Sequence, residues 1–339
     1  MVSRIHGLTL AAAAVAAALA TAGCGDQRAY PIIRPSAADV PCSLDMTGYA
    51  TINDSTTGGS GPQPPVTVTT AADFIAQATA SADPNEILVD GMITLTEKVE
   101  IASNKTIIGV GANSGFTGAG LHLTDVRNII LRNLVFAKIS VGEGDAINLK
   151  RTKYVWIDHC DFSSDADDTT SGYDGLVEIT HASDWITVSW SRFHDHQDTG
   201  LIGNLQNNAL EDANTLHATY HHNLFLKVNS GPRLRYSTVH LYSNHFQQVT
   251  VNGVAAETMS TAFVQQNMFD RVGTPITTDY EDDETGSVRD ESNRFVDSGP
   301  NNVTATSNLT LPYLYSYDSA SGTPAVVDQC AGTGKKLTP

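Results

Sequence analysis

Positive charge is scarce in this sequence of 339 residues. It contains 20 Lys and Arg residues against 37 Asp and Glu residues, which gives a formal net charge of −17 at pH 7. This excess of negative charge argues against nucleic acids and anionic membrane surfaces as partners, because both repel an acidic protein. It fits a soluble exported protein, or a protein that uses cations to bind an anionic ligand.

Long apolar runs are also rare, and the one near the N-terminus predicts export. The run "GLTLAAAAVAAALATAGC" follows a single arginine and ends in small residues. This pattern is typical of a secretory signal peptide over residues 1–23 and not of a membrane span. Cys24 stands at the cleavage position of a bacterial lipoprotein signal, so secretion and anchoring as a cell-surface lipoprotein both stay open. Residues 24–44 are predicted to form a tether.

Cysteine is rare as well, with four residues in the whole sequence. In an exported protein, two of the three cysteines that follow Cys24 can pair. We predict a disulfide between Cys42 and Cys330, which lie near opposite ends of the mature chain. Cys160 lies in an apolar, strand-like run and is predicted to be a buried thiol. The alternative is that all three are free.

Helical patterns are nearly absent. One stretch, "TTAADFIAQATASADP", has apolar residues at helical spacing, a threonine that can cap the helix and a proline that ends it. The rest of the chain consists of short runs rich in Val, Ile, Thr and aromatic residues, which predict strands.

These short runs repeat. Each repeat has a small polar residue, a variable residue and an apolar residue, and the repeats begin at Asn133, Cys160, Ser191, Asn223, Asn244, Asn267 and Asn293. A period of 21 to 32 residues without helices predicts a solenoid. We therefore predict that residues 45–339 form one domain, a right-handed parallel β-helix with an N-terminal capping helix. The asparagines would form a hydrogen-bonded ladder inside it, and the phenylalanines an aromatic stack.

A β-sandwich is the alternative fold, because it also has strands at regular spacing. Its strands should alternate with tight hairpin signals such as Asn-Gly or Asp-Gly. The turns here are irregular instead, and the repeat keeps its phase over seven units. The pattern favours the β-helix.

Acidic residues concentrate around two of the predicted coils. Glu143 and Asp145 precede one strand-like run, and Asp174 and Glu178 belong to the later stretch "DADDTTSGYDGLVEI". If the coils stack, Asp145 lies about 5 Å from the other pair in the direction across the sheet. Converging carboxylates repel each other unless a cation lies between them, and oxygen ligands without Cys or His favour Ca²⁺. The alternative interpretation is a solvated acidic face.

Several motifs occur in the order found in polysaccharide lyase family 1, the family of pectate and pectin lyases. They are "GDAINLKRTKYVWIDHCDF", "DGLVEIT", "WITVSWSRFHDH", "GLIG", "YHHNLF" and "PRLRYSTVHLYSNHF". The resemblance extends over roughly residues 45–300. It implies a β-helix and a Ca²⁺-dependent enzyme that cleaves pectate or polygalacturonate by β-elimination.

The resemblance also assigns residues to the metal site. It places the calcium ligands at Asp145, Asp174 and Glu178, with Glu143 at a position that sometimes adds a ligand. Acidic residues at these positions are typical of pectate lyases, whereas pectin lyases have basic residues there. In the family's mechanism, the cation acidifies the C5 proton of the uronate, a basic side chain removes that proton, and the glycosidic bond at C4 breaks.

Two residues differ from the family pattern. Asp198 stands where a substrate-binding lysine is usual, and Ser230 stands where the catalytic arginine is usual, two residues before Pro232. The second arginine of the motif is retained as Arg235, and Arg233 is an additional arginine common in the family; both are candidate catalytic residues. We predict that Arg235 pairs with a uronate carboxylate, and the alternative is a salt bridge to the acidic cluster. Asp198 would repel the substrate unless it serves as a further calcium ligand.

Four interpretations of these differences stay open. The base can be relocated to Arg233, Lys227 or His196, of which His196 is also a predicted substrate-binding residue. The substrate can be a different polyuronate, such as an acetylated one. The protein can be a weak pectate lyase. Finally, it can be a catalytically impaired family member that binds polysaccharide. In each case we expect Ca²⁺ as cofactor, an acidic polysaccharide as partner and a monomer.

Overall fold

The structure, a computed structural model, is a parallel β-helix of about nine coils. The residues that it describes are 32–33, 42–165, 172–280 and 284–338. The predicted right-handed parallel β-helix is confirmed. The predicted signal peptide and Cys24 lie outside the described residues.

Three sheets, called A, B and C in the order in which a coil passes through them, form the walls. Sheet A has ten parallel strands: Val66–Val68, Asn85–Val89, Lys105–Gly109, Arg127–Arg132, Lys153–Asp158, Asp184–Ser189, His217–His221, Thr238–Tyr242, Thr261–Gln265 and Ser287–Glu291. Sheet B contains Met92–Leu95, Gly115–Ala119, Val135–Val141, Asp161–Ser163, Arg192–Asp198, Leu224–Ser230, His245–Ala256, Met268–Thr277 and Arg294–Val296. Sheet C contains Val99–Glu100, Leu121–Thr124, Ile147–Lys150, Val177–Thr180, Leu201–Ile202 and Arg233–Leu234. Strand His245–Ala256 also pairs with Arg233–Leu234, so sheets B and C are continuous at that coil.

Phenylalanine side chains form the centre of the core, as predicted. Successive ring centroids lie 4.5 to 5.7 Å apart along a stack of Phe116, Phe136, Phe162, Phe193, Phe225, Phe246 and Phe269. All seven side chains are fully buried. The stack arises because neighbouring strands of sheet B pair in register, with each phenylalanine directly beside the next.

The predicted asparagine ladder occupies the short turn between sheets A and B. The Nδ2 groups of Asn223, Asn244 and Asn267 each donate to the Oδ1 atom of the next asparagine, at 2.9 to 3.0 Å. Further bonds along the same line link Cys160 to Ser191, whose N–H donates to Asn223. These buried amides are therefore paired with each other, which removes the cost of burying them.

The prediction was wrong by one residue at Asn133. Phe136, not Val135, pairs with Phe162, so Leu134 takes the position that corresponds to Cys160. Asn133 instead lies one position earlier in the turn, and the residue that corresponds to it in the next coil is His159. Both have left-handed backbone conformations, with φ of 55° for Asn133 and 51° for His159. Asparagine tolerates this left-handed conformation better than most residues. Its Nδ2 group donates to the carbonyl oxygens of Gly109 and Gly111.

Helices cover the N-terminal end and one side of the solenoid. The predicted capping helix is Ala71–Thr79, in which the Thr70 side chain accepts from the N–H of Asp73. Its Phe74 contacts the first ring of the stack. A second helix, Thr323–Cys330, was not predicted. The remaining two are single turns, Tyr49–Thr51 and Ala209–Asp212. No helix in the described part of the chain is long and apolar enough to cross a membrane.

The C-terminal segment crosses the outer face of sheet A. The Tyr313 hydroxyl contacts Thr219 Oγ1 at 2.8 Å, and Asp318 contacts the His222 ring at 2.9 Å. Short parallel pairs also join the N- and C-terminal parts: Ile32–Ile33 with Ser316–Tyr317, and Cys42–Ser43 with Leu337–Thr338. Two segments within the range predicted as a tether are therefore held against the C-terminal segment.

The predicted disulfide between Cys42 and Cys330 is confirmed, and Cys160 is a buried free thiol as predicted. The bond closes a loop with a sequence separation of 288 residues. Both sulfur-bearing residues pack with Trp190 and Val326 against the outside of the β-helix.

Replacing Cys42 and Cys330 together by serine should lower the free energy of unfolding by about 2–5 kcal/mol, because the unfolded chain regains the entropy of an open loop. Equilibrium denaturation with and without reductant would measure the loss. Reductant should destabilise the natural protein and leave the double variant unchanged. An equal effect of reductant on both proteins would contradict a stabilising role of this bond.

Candidate active site

The residues predicted to carry the chemistry lie along the edge where strands of sheet B end and strands of sheet C begin. Asp198 and Ser230 are the last residues of their sheet B strands and are direct neighbours in the sheet. Arg233 begins a sheet C strand, and Arg235 follows that strand. Neighbouring strands are about 4.8 Å apart, so the two unusual residues and the two arginines belong to one small region.

A group of carboxylates lies along the same edge. Asp145 lies just before one sheet C strand, and Glu178 lies in the next, where it pairs in register with Asn148. Asp174 is three residues before that strand. Asp174 is exposed, Glu178 is half-buried and Asp145 is 4% exposed. The cluster is thus partly buried, whereas the spacing predicted an exposed face.

Burial dominates the electrostatics of this cluster. It raises the pKa of the Asp145 carboxyl to about 6, and the negative charge of Asp174 adds to the rise. A hydrogen bond that Asn148 donates to Asp145 Oδ2 acts in the opposite direction. Burial also raises the pKa of Glu178 well above its usual value, and the charges of Asp145 and Asp198 add to it. The neighbouring negative charges therefore make ionisation of Asp145 and Glu178 harder.

One oxygen of this cluster is buried without a partner. Asp145 Oδ1 has no hydrogen-bond partner, nor does the side-chain oxygen of Asn148 beside it. Buried polar atoms are normally paired, so two orphaned oxygens at one place suit a bound cation. Within the described ranges, however, no three His, Cys, Asp or Glu side chains are arranged so that they could hold a metal ion together.

Glu143 stands apart from the cluster. Its carboxylate contacts Lys150 at 3.2 Å and Lys98 at 3.6 Å. Burial opposes its ionisation, but these lysines and His122 outweigh burial and lower the pKa of Glu143. Its charge is thus balanced by cations of the protein, unlike that of Asp145.

His196 is buried and bonded at both ring nitrogens. Its Nε2 atom donates to the backbone carbonyl of Asp174 at 2.7 Å, and its Nδ1 atom contacts Ser164 Oγ at 2.6 Å. The carbonyl can only accept, which fixes the proton on Nε2. The ring thereby holds the backbone of Asp174 in place.

Lys227, another predicted base, is exposed on the sheet B strand three residues before Ser230, with φ of 53°.

Both arginines bond to one buried glutamate that sequence reasoning missed. Arg233 Nε and Nη2 donate to the two oxygens of Glu257 at 3.0 and 3.2 Å. Arg235 Nε donates to Glu257 Oε2 at 3.0 Å, and its Nη1 donates to the carbonyl of Asn204 at 3.2 Å. Glu257 is fully buried. The only sequence signal was a single acidic residue after the apolar run "VNGVAA".

A cleft of about 390 Å³ opens beside Arg235. It is lined by Leu205, Gln206, Asn207 and Arg235. The Tyr236 hydroxyl donates to the carbonyl of Gln206 and ties this wall to the β-helix. The edge thus carries acidic groups on the earlier coils and arginines beside a cleft on the later ones.

Comparison with known proteins shows the family to which the chain belongs. A family model described as pectate lyase matches residues 13–336. The chain is 36% identical over 295 residues to a probable pectate lyase B of Aspergillus terreus, covering 86% of this chain and 89% of that protein. The chain belongs to the pectate lyase family. The resemblance predicted from the motifs is confirmed.

Other members support this assignment. Pectate lyase plyB of Emericella nidulans is 40% identical over 223 residues, covering 66% of this chain and 68% of that protein. The crystal structure of the pectate lyase Bsp165PelA from Bacillus sp. N165 in complex with trigalacturonate is 33% identical, with a TM-score of 0.78, and covers 86% of this chain and 99% of that one. Members of this pectate lyase family are lyases that act on polysaccharides, and this chain is one of them.

Proposed function

We propose that this pectate lyase family member is an exported, Ca²⁺-dependent enzyme that cleaves pectate or polygalacturonate by β-elimination. The observation that carries the proposal is the shared edge of sheets B and C. Partly buried carboxylates with an orphaned oxygen lie on one side, and an arginine pair beside a cleft lies on the other. An anionic polymer can bind there only if cations offset the carboxylates.

The chemistry of the carboxylates suits a calcium ion, although the described residues do not bring three of them close enough together to hold it. Asp145, Asp174 and Glu178 offer hard oxygen ligands, and the unpaired Oδ1 atom of Asp145 would gain a partner. When bound, Ca²⁺ supplies a positive charge that binds the uronate carboxylate and makes its C5 hydrogen more acidic. Burial and then the neighbouring negative charges raise the pKa values of Asp145 and Glu178, which supports this assignment because a cation would favour the ionised forms.

The arginines provide the second positive group. Arginine side chains are cations in proteins, and both Arg233 and Arg235 bond to Glu257. A guanidinium group suits a second carboxylate of the polymer. Arg235 is the residue that also lines the cleft, so we assign it to bind this carboxylate.

Asp198 is our assignment for the proton acceptor. Ser230, at the family's base position, is its direct neighbour in the sheet, and both arginines bond to Glu257. In the elimination, the C5 proton passes to the Asp198 carboxylate, and the C5–H electrons form the C4=C5 double bond. The C4–O bond breaks as they do so, and the departing oxygen takes a proton from water. A carboxylate is a weak base, so we expect slow turnover.

Export is supported by two features of the chain. The N-terminal run has the pattern of a signal peptide. The disulfide between Cys42 and Cys330 is stable in oxidising compartments outside the cytosol. Lipid attachment at Cys24 is tested by mass measurement of the mature N-terminus.

The direct test is an assay of the purified mature protein on polygalacturonate with Ca²⁺, which follows the ultraviolet absorbance of the unsaturated product. We expect product on polygalacturonate and less on methylated pectin. Failure on polygalacturonate, methylated pectin and acetylated pectin would exclude lyase activity. Calcium-dependent binding without product would then identify a polysaccharide-binding protein, the alternative that Ser230 and Asp198 at the family's basic positions favour.

A further inference from the structure

Glu257 is an unexpected residue to find beneath a site for an anionic polymer. It directly follows the last residue of strand His245–Ala256, and its N–H donates to the carbonyl of Leu234 at 2.8 Å. Its side chain is fully buried, and it accepts hydrogen bonds from two arginines. A carboxylate buried this deeply is stable only with such partners.

The same contacts restrict the arginines. Arg235 is held at Nε by Glu257 and at Nη1 by the carbonyl of Asn204. Arg233 is held in a two-bond fork by Glu257, and its guanidinium lies 5.0 Å from the ring centroid of Tyr280. Both arginine side chains remain about one-seventh exposed, at 15% and 14%. Each guanidinium group is therefore fixed in direction, and Arg235 still lines the cleft.

We propose that Glu257 is a positioning residue for substrate binding, which holds the guanidinium of Arg235 ready to bind a uronate carboxylate. The inference rests on the proposed function, because it needs Arg235 to bind substrate. An arginine that is already ordered loses little side-chain freedom on binding, whereas a free arginine side chain must be immobilised each time.

Two possible roles of Glu257, lowering the positive charge of the site and positioning Arg235, predict opposite changes in KM for Glu257→Gln. If Glu257 only lowered the positive charge of the site, its neutralisation would strengthen attraction of an anionic polymer and lower KM. If it positions Arg235, the variant keeps only one acceptor oxygen for the two arginines and turns an NH2 donor toward them, so Arg235 loses its fixed direction and KM rises. The sign of the change in KM therefore separates the two roles.

Steady-state kinetics on polygalacturonate give this sign. We expect Glu257→Gln to raise KM by about ten-fold, with kcat changed by less than about three-fold. Glu257→Asp keeps the charge but shortens the side chain, so its KM should lie between those of the natural protein and the glutamine variant. An unchanged or lower KM for Glu257→Gln overturns the proposal.

Asp158→Asn is the matched control. Asp158 is another fully buried carboxylate that pairs with an arginine, Arg132, at 3.1 Å, but it lies on sheet A away from the site. This variant should lose stability, measured by denaturation, with KM and kcat close to those of the natural protein. If it raises KM as much as Glu257→Gln, general destabilisation explains both and the proposal fails.

A spectroscopic readout separates this proposal from the proposed function. NMR of protein labelled at arginine should show a slowly exchanging Nε–H signal of Arg235, assigned by its loss in Arg235→Lys. Glu257→Gln should abolish that slow exchange, and Asp158→Asn should keep it. If the signal persists in Glu257→Gln, positioning is refuted, whether or not the protein cleaves polygalacturonate. If positioning holds but no product forms, only the proposed function fails.

Discussion

Chelation of calcium with EGTA is expected to lower the rate of unsaturated-product formation by about 100-fold or more. The reason lies in the carboxylates of Asp145, Asp174 and Glu178, which repel an anionic polymer when no cation offsets them. A bound metal ion stabilises the developing charge by several kcal/mol, and about 2.7 kcal/mol corresponds to a factor of 100 in rate. The ultraviolet assay at fixed substrate concentration, before and after chelation, measures the effect.

Asp145→Asn tests the same assignment by substitution. It keeps the shape of the side chain and removes the charge of a carboxylate that has an orphaned oxygen. We expect calorimetry to show weaker calcium binding and excess Ca²⁺ to restore part of the activity. Asp54→Asn is the matched control, because Asp54 is an exposed carboxylate that pairs with Arg127. Full activity in EGTA would refute the calcium assignment.

The second large effect is expected for Asp198→Asn. Loss of a positioned proton acceptor typically slows a reaction by about 100- to 10,000-fold, and we expect kcat to fall within this range. KM should change little, because the carboxylate of the polymer is bound by other groups. The measurement is the initial rate over a range of polygalacturonate concentrations.

Two other roles of Asp198 predict different outcomes. If its charge only repels the polymer, Asp198→Asn would increase activity. If it is a calcium ligand, the variant would bind Ca²⁺ more weakly by calorimetry and would recover at high Ca²⁺. A lower kcat with unchanged calcium affinity agrees with proton transfer alone.

The fold was largely predictable because its signals are local and repeat. A polar residue two positions before a phenylalanine marks each turn from sheet A to sheet B, and the structure confirms this in six of the seven units. The error at Asn133 arose because asparagine suits both the ladder position and the left-handed position before it. The helix Thr323–Cys330 was missed since it is short and packs outside the repeat.

The site was predictable in part. The proximity of Asp145 and Glu178 was predictable, because Asp145 precedes one strand and Glu178 lies in the strand that pairs with it in the next coil. Glu257 was missed because its role depends on the pairing of coils that are 22 to 24 residues apart in sequence. Nothing in the local sequence of Glu257 indicates two arginines beside it. The same limit applies to His196, whose second partner, Ser164, is 32 residues away.

The segment that crosses sheet A bears on how the protein resists proteolysis. A solenoid has only nearest-neighbour contacts, so its terminal coils can open one after another and expose extended chain to proteases. Here the last helix is bonded covalently to Cys42, and tyrosines of the same segment lie across several coils. Stepwise fraying from the C-terminal end would have to displace this segment as a whole. We therefore expect degradation to follow rare global opening, and the lifetime in a protease-rich medium to be set by the rate of that event.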